Sequence, residues 1–464
     1  MRLVTAVTVA FAAIFLALSF YAFYPGPVTY DSIIQYGQSI TGNYVDIFPP
    51  LMALTWRVLN KLHKGPALMS VLNLTLYWSA FAVLAIYCLK ATGKWWSALS
   101  LTAGLFPFLL AFSGVVWKDV LLAGSWGLAC ALLLLTTIVS DRPLFKRLAW
   151  AAAAVLVVYG DAMRHNAAPA AFVLAAALTM QTAIGSVGRK MLVFFALAIP
   201  LAVAVPLISH LVDAEDGWGI EMVMSWDLTG ISYFSGKNYR TGGVRPDSVS
   251  NLNCYSPRLA DSCELVPFEN RIEAFTRWRT AIAEQPLGYL QHRALMFSML
   301  LRAGCNRCKP YTWVDHSDTN PYGFQFKSNA LHQALGKVVK RMERSPLGRP
   351  YVWLVAASGL ALMMWRRRHL PAASCIALLA ASGVAYTLPY AVVAPTDEFR
   401  YLYWLFFCVV MVIAAIVFGS RDAGRFRALA VWVVLPVLLA GVTETFVRHH
   451  WPTDDIAPSM TTNY

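Results

Sequence analysis

Long apolar runs dominate this sequence, and most of them approach the length that an α-helix needs to cross a membrane. The hydrocarbon core of a bilayer is about 30 Å thick, which corresponds to about 20 residues of α-helix. Because 58% of the 464 residues are hydrophobic and only 14% are charged, the chain is too apolar for a soluble protein of this size. We therefore predict an all-α polytopic membrane protein with about 11 transmembrane helices. The predicted helices are 3–23, 66–89, 97–115, 120–140, 148–162, 167–184, 191–211, 350–365, 370–390, 400–419 and 428–447.

The distribution of Lys and Arg between these runs predicts how the chain crosses the membrane. Clustered Lys and Arg residues occupy alternate connectors, at 90–94, 142–147, 189–190, 366–368 and 421–427. Since short cytoplasmic loops are enriched in these residues, we place those connectors and the N-terminus in the cytoplasm. The first run exceeds a signal-peptide core of roughly 7–15 residues, so we expect it to be retained. The net charge of +13 then reflects topology, and we expect no nucleic-acid partner.

Two membrane parts flank one large insertion. The N-terminal part, 1–210, contains the first extracytoplasmic loop at 24–65, and the C-terminal part, 350–464, ends in an outer tail. Between them lies the insertion, 211–349, which we expect to be mostly helical and extracytoplasmic.

The eight cysteines are divided between the apolar runs and the insertion. Cys254, Cys263, Cys305 and Cys308 lie in the insertion, where an oxidising compartment favours disulfides. Pairing within each local loop is the simplest of the three connectivities open to four cysteines. Free thiols and a zinc site at Cys305-x-x-Cys308 are the alternatives. The cysteines expected to pack as small apolar residues are Cys88, Cys130, Cys375 and Cys408.

The first extracytoplasmic loop carries two acids and an amphipathic segment. Asp31 closely follows the first apolar run, and Asp46 comes later in the same loop. The Pro49-Pro50 pair then begins a segment with leucines on one side, as in a helix that lies in the membrane interface. A solvated loop acid is the alternative for either Asp taken alone. Groups that suit a polar ligand lie near these acids: Tyr30 and Gln35.

Three shorter outer turns place charged or polar side chains at the ends of apolar runs. These are Lys118 and Asp119 in the first turn, Arg164, His165 and Asn166 in the second, and Asp397, Glu398 and Arg400 in the third. Cations on the outer side oppose the general charge trend, which points to a function. Because Arg and Lys suit phosphate oxygens, we expect these turns to bind an anionic headgroup. Snorkelling side chains and local ion pairs are the alternative explanation.

Together these features favour a lipid-linked phosphate as one ligand and a polar acceptor as the other. A carboxylate beside a phosphate-linked sugar can take the proton of an attacking hydroxyl, and nearby cations can stabilise the departing phosphate. We therefore expect Asp31 to act as the general base in an inverting transfer, with Asp46 orienting the acceptor or the sugar.

The acid after the first helix, followed by Phe48-Pro49-Pro50-Leu51, resembles the first loop of the GT-C integral-membrane glycosyltransferases. That family includes the protein O-mannosyltransferases and the lipid A aminoarabinose transferases. The resemblance implies a polyprenyl-phosphate sugar donor and assigns the catalytic acid to Asp31. The turns around Lys118, Arg164 and Arg400 are similar to motifs of the bacterial branch, which implies a bacterial inner membrane location with an extracytoplasmic site. Phe48 stands where the family often has His.

Other classes of protein remain open at this point. An O-antigen polymerase or ligase also uses polyprenyl carriers, whereas a lipid-linked sugar transporter or flippase would place ionisable residues at mid-membrane. A structural or assembly protein with an external domain is a further alternative. The acids of the first loop favour the transferase over these alternatives. We expect its acceptor to be a cell-envelope glycan, lipid or protein, and we expect the protein to be in contact with membrane lipids. The sequence implies no certain cofactor, and a divalent metal is compatible with the chemistry.

Overall fold

A computed structural model describes most of the chain, and its described residues are helical. They are 1–139, 142–182, 186–240, 254–260, 263, 266–303, 313–370, 372–420 and 429–450, with the backbone alone for 443–450. Helix accounts for 75% of the structure, and the described residues form no strand, which confirms the all-α prediction. Two isolated β-bridges, Val45 with Glu215 and Leu259 with Thr396, join separate parts of the chain.

The helices follow the apolar runs of the sequence, with additional short helices in the loops. In chain order they are α1 (Arg2–Phe23), α2 (Tyr30–Thr41), α3 (Leu51–Leu59), α4 (Ala67–Thr92), α5 (Pro107–Ser113), α6 (Lys118–Thr136), α7 (Pro143–Asp161), α8 (Ala168–Thr182), α9 (Val187–Leu211), α10 (Gly219–Ser235), α11 (Arg271–Glu284), α12 (Pro286–Leu300), α13 (Ala330–Glu343), α14 (Pro350–Arg366), α15 (Ala373–Thr387), α16 (Tyr390–Val393), α17 (Tyr403–Gly419) and α18 (Leu435–His450). Shorter helical stretches of 3-10 or π type are Trp95–Leu105, Pro346–Gly348, Phe399–Leu402 and Ala430–Val434.

Seven helical segments in the described part of the chain are long and apolar enough to cross a membrane. They are Arg2–Phe23, Ala67–Thr92, Lys118–Thr136, Pro143–Asp161, Val187–Leu211, Ala373–Val393 and Phe399–Gly419. An eighth is possible if Trp95–Leu105 and α5, which meet at a 64° bend, form one span. A multi-pass membrane protein is therefore supported, whereas the count of eleven is not confirmed. The remaining predicted spans coincide with shorter or less apolar helices.

The centre of the membrane part is formed by α4, α6 and α17. The apolar windows of α6 and α17 are 89% and 78% buried inside the protein, whereas those of α1 and α9 are only 17% and 11% buried. Small residues allow α6 to approach its neighbours closely, as is usual in membrane helix packing. A Cβ added at Gly124 would lie 2.9 Å from Leu76, and one at Gly127 would overlap the Phe407 ring. These close contacts hold the N-terminal half of α6 in the middle of the molecule.

The first loop forms two helices whose ends follow local rules. Thr29 caps α2, and Gly42, with a φ of 82°, ends it in the left-handed conformation that glycine adopts without strain. Pro50 precedes α3, as the Pro-Pro pair predicted, but α3 is only nine residues long. It buries Met52, Ala53 and Trp56 and leaves Arg57 and Val58 exposed. The predicted helix is therefore shorter than the sequence pattern indicated, and Leu62 lies beyond its end.

The described part of the insertion contains four α-helices, α10 to α13, and one of the expected disulfides. Cys254 and Cys263 are bonded. Cys305 and Cys308 lie outside the described residues, so their expected pairing stays a prediction. The four cysteines of the apolar runs are buried free thiols, as expected.

Replacing both Cys254 and Cys263 by serine should lower the free energy of unfolding by about 2–3 kcal/mol, because the bond closes a short loop. Thermal unfolding of the full-length protein in detergent, without reductant, measures the change. Reductant should bring the wild type to the level of the double variant and leave the variant itself unchanged. A double variant as stable as the oxidised wild type would contradict this expectation.

Candidate active site

Asp31 lies in the first turn of α2, close to the N-terminal end of α6. The Ser32 hydroxyl donates to the Val116 carbonyl at 2.5 Å, and the Trp117 indole N–H donates to the Thr29 hydroxyl at 2.8 Å. These bonds tie the start of α2 to the turn that precedes Lys118. The first loop and the first short outer turn are therefore neighbours, although more than eighty residues separate them in the sequence.

Arg400 joins Asp31 from the far end of the chain. It lies in the helical turn Phe399–Leu402, and its guanidinium forms ion pairs with both Asp31 and Glu398. The side chains of Arg400 and Asp31 are only 10% and 17% exposed. A cation between two carboxylates offsets their mutual repulsion, which is strong at a site with little water. The predicted third turn thus meets the predicted first loop.

Asp31 is kept ionised by its neighbours. Burial by itself would raise the pKa of Asp31, but the positive charges of Arg400 and Lys118 outweigh burial and hold the pKa below the ordinary value of 3.8. The side chain is therefore a carboxylate at neutral pH and can accept a proton or a hydrogen bond. Arg400 occupies its Oδ2 atom, and no hydrogen-bond partner for Oδ1 is found within the described residues.

Lys118 is a buried ammonium group without an ion pair among the residues that the structure describes. The residue is 7% exposed, and its Nζ atom lies 3.9 Å from the centroid of the Phe48 ring. An aromatic face attracts a cation but does not neutralise it. Lys118 lies close enough to Asp31 to lower the pKa of its carboxyl, although no ion pair joins the two side chains in the described residues. The Phe48 ring supplies the surface against which the Lys118 amine packs.

Arg164 is held differently, since its guanidinium pairs with the buried carboxylate of Asp119. The Arg164 guanidinium also lies 4.8 Å from the Tyr401 ring centroid and 5.7 Å from that of Tyr390. Its Nε–H donates to the Asn166 side-chain oxygen at 3.3 Å. This arrangement leaves Arg164 less free than Lys118 to contact a ligand.

The remaining predicted residues divide between the edge of this cluster and other contacts. Gln35 is buried, and its amide donates to the Asp31 carbonyl at 3.1 Å. Tyr30 is 70% exposed, and its backbone N–H donates to Asp318 of the insertion at 2.7 Å. The Tyr30 side chain therefore lies outside the cluster, because it is the first residue of α2 and projects into solvent.

Asp46 and His165 meet each other at the junction with the insertion. The His165 Nε2 atom lies 2.7 Å from the Asp46 carbonyl oxygen. The Asp46 carboxylate accepts the Gly217 N–H at 2.8 Å, next to the β-bridge between Val45 and Glu215. Asp46 therefore has a structural partner, and no contact between its carboxylate and Asp31 is found in the described residues.

Three cations and three carboxylates thus converge from four separate parts of the chain, and we call them the charge cluster. They are Asp31, Lys118, Asp119, Arg164, Glu398 and Arg400. Their formal charges sum to zero, and two of the cations are paired with carboxylates. Lys118 has no ion pair in the described residues, so it is the cation of the cluster that an anionic group would contact most readily.

Two features of this site were missed in the sequence. The rings of Tyr390 and Tyr401 enclose Arg164, and Asp318 of the insertion binds the backbone at Tyr30. Tyr401 directly follows Arg400 in the sequence. An aromatic residue next to a cation in a turn could have indicated that the aromatic ring belongs to the same site. Asp318 lies in a polar segment that carries no comparable pattern.

Within the described residues, no group of three or more His, Cys, Asp or Glu side chains is arranged to hold a metal ion. Comparisons with protein families, with curated proteins and with solved structures find no match for this chain. The function is therefore argued from the site geometry.

Replacing Arg164 by alanine should destabilise the protein by about 3–5 kcal/mol, because Asp119 would be left buried without its partner. Thermal unfolding of the full chain in detergent measures the loss. The double variant Arg164→Gln, Asp119→Asn removes both charges and should regain much of the stability. Equal instability of the single and double variants would contradict the proposed pairing. Weakened ligand binding in Arg164→Ala alone would not demonstrate contact with a phosphate.

Proposed function

We propose that this protein is a membrane glycosyltransferase that moves a sugar from a polyprenyl-phosphate donor to an extracytoplasmic acceptor, with inversion at the anomeric carbon. The observation that carries the proposal is the buried Lys118 side chain, which has no ion pair among the described residues and lies close enough to Asp31 to lower the pKa of its carboxyl. An anionic leaving group and an attacking hydroxyl need such a pair of opposite charges at one site.

The reaction would run in one displacement. The acceptor hydroxyl oxygen forms a bond to the anomeric carbon while the bond from that carbon to the donor phosphate oxygen breaks. The Asp31 carboxylate takes the hydroxyl proton, and the leaving polyprenyl phosphate carries the bonding electron pair. Lys118 stabilises the charge that develops on this phosphate, since a preformed cation in a site with little water stabilises it more than bulk solvent does.

The location of the cluster suits a donor that cannot leave the membrane. Lys118 begins α6, and Arg400 lies at the start of the apolar segment Phe399–Gly419, so both lie at ends of candidate spans. The positive-inside pattern places these ends on the outer side. We therefore propose an extracytoplasmic site in a bacterial inner membrane and a GT-C-like fold. The acceptor would be a cell-envelope glycan, lipid or protein reaching the site from outside.

The proposal is tested with full-length protein in lipid nanodiscs and a panel of short-chain polyprenyl-phosphate sugars. Each donor carries a radiolabelled sugar, and both its hydrolysis and its transfer to envelope extracts are measured. We expect one donor to lose its sugar in the presence of wild-type protein but not of Asp31→Asn. Failure of every donor, or equal turnover by the variant, would refute the proposed function.

A further inference from the structure

The chain segment that precedes Arg400, residues 394–397, is bonded to a short loop of the insertion. We call residues 254–263, described at 254–260 and 263, the clamp loop. Ala260 of the clamp loop donates its N–H to the Pro395 carbonyl at 2.9 Å. The two segments run antiparallel where they meet. A part of the insertion that is remote in sequence therefore holds the chain just before the charge cluster.

One ion pair reinforces this contact. The Arg258 Nε atom lies 2.7 Å from Oδ2 of Asp397, and the Asp397 N–H also donates to the Arg258 carbonyl at 3.2 Å. The two side chains are 32% and 14% exposed, so water screens the pair only partly. Only Glu398 and Phe399 separate Asp397 from Arg400. Any shift of Asp397 is therefore passed to Arg400 over a very short length of chain.

The clamp loop is itself constrained. The disulfide between Cys254 and Cys263 closes the loop around Arg258 and Ala260. A closed loop has fewer alternative conformations than an open one. The disulfide therefore restricts the positions of the backbone donors and acceptors that bond the 394–397 segment.

A buried ion pair fixes the other end of the same segment. Arg293 of α12 donates to the Ala394 carbonyl at 3.2 Å, and its Nε atom lies 2.6 Å from the Asp227 carboxylate of α10. The Asp227 and Arg293 side chains are 0% and 4% exposed. The Trp278 indole N–H of α11 donates to the second oxygen of Asp227 at 2.7 Å. Three helices of the insertion thus converge on the start of the segment.

We propose that Arg258 and Arg293 are positioning residues, which hold the 394–397 segment so that Arg400 meets Asp31 in the charge cluster. This inference rests on the proposed transferase function for its catalytic consequence. Arg400 touches both Asp31 and Glu398, so its displacement would alter the base directly. A misplacement of about 1 Å in a catalytic group can cost about 100-fold in rate. The insertion would then complete the site as well as contact an acceptor.

The proposal predicts a specific kinetic pattern. Arg258→Ala should lower kcat by up to about 100-fold, because Arg400 and Asp31 lose their alignment. Donor affinity should change little, since no contact between Lys118 and the clamp loop is found in the described residues. The charge-reversed pair Arg258→Asp, Asp397→Arg should recover most of the lost kcat. The double variant Cys254→Ser, Cys263→Ser should resemble Arg258→Ala in the same assay.

Amide hydrogen exchange tests the clamp without relying on activity. In full-length protein in nanodiscs, Arg258→Ala should speed exchange at Ala260, Asp397 and Tyr401, whose N–H groups are hydrogen-bonded at or just beyond the clamp. Arg277→Ala is the matched control, because Arg277 of α11 pairs with Glu273 in the same insertion and does not contact the 394–397 segment in the part of the chain that the structure describes. It should leave those amides and kcat unchanged.

The kinetic assay and the hydrogen-exchange measurement together distinguish a failure of the clamp from a failure of the proposed function. Faster local exchange with a loss of kcat and recovery in the charge-reversed pair supports this inference. Unchanged exchange in Arg258→Ala overturns the clamp, and faster exchange with unchanged kcat overturns the link to Arg400. If the wild type transfers no sugar, the proposed function falls. Exchange still decides whether the clamp exists.

Discussion

Replacing Asp31 by asparagine is expected to reduce sugar transfer by about 10²–10⁴-fold while the protein still folds and binds donor. Asparagine has nearly the shape of aspartate but cannot take a proton from the acceptor hydroxyl. Loss of the Asp31 charge also leaves Arg400 with Glu398 as its remaining carboxylate partner. Single-turnover transfer at saturating donor, with donor binding measured separately, isolates the chemical step from affinity.

Asp46→Asn is the matched control in the same loop, because its carboxylate accepts the Gly217 N–H and does not contact Asp31 in the described structure. It should lose far less activity. Near-normal turnover of Asp31→Asn together with an inactive Asp46→Asn would transfer the base assignment to Asp46. Activity in both would exclude the mechanism.

Arg400→Gln is expected to lower kcat by about 10²–10³-fold, the usual cost of removing a group that stabilises charge in a transition state. It also changes the pH dependence in a definite direction. In the wild type, Arg400 and Lys118 hold the pKa of Asp31 below 3.8, so the base is ionised throughout the neutral range. Without Arg400 the effect of burial, which raises the pKa, is less opposed. The acid limb of the pH–rate profile should therefore move to higher pH.

The Arg400 prediction is checked by comparing pH profiles of kcat/KM for the wild type and Arg400→Gln. Arg57→Gln, which replaces an arginine of α3 outside the charge cluster, serves as control and should leave the acid limb in place. An Arg400→Gln profile with an unmoved acid limb would show that Arg400 does not act on Asp31. An acid limb that moves to lower pH would contradict the sign of the electrostatic argument.

The sequence predicts the elements of this protein better than it predicts their pairing. In the described residues the apolar runs are mostly helical, because burial in lipid or protein requires satisfied backbone hydrogen bonds. The run 97–115 differs, since it is divided by a 64° bend between Trp95–Leu105 and α5. The charged outer turns could be identified because Lys118, Arg164 and Arg400 interrupt apolar sequence. Their partners could not be identified, since Asp31 and Arg400 are separated by 369 residues and meet only in the folded chain.

Sequence patterns also did not predict the positions of side chains that are set by contacts between distant segments. Asp46 looked similar to Asp31 as an acid of the first loop, yet it binds Gly217 of the insertion. Tyr30 is adjacent to Asp31 but projects into solvent, because neighbouring positions on a helix point in different directions. The contact of Arg258 with Asp397 joins two loops that share no motif. Such contacts depend on the folded arrangement of the whole chain.

The most direct test of the central claim is phosphorus NMR of a short-chain polyprenyl phosphate titrated with the protein in nanodiscs. The unpaired Lys118 should give saturable binding in the wild type, and Lys118→Met should weaken it by about 10–100-fold, as expected for a lost charge-assisted contact. Arg57→Gln should bind as the wild type does, and a short-chain polyprenyl alcohol should compete poorly. Equal affinity of Lys118→Met and wild type for the phosphate would contradict the account.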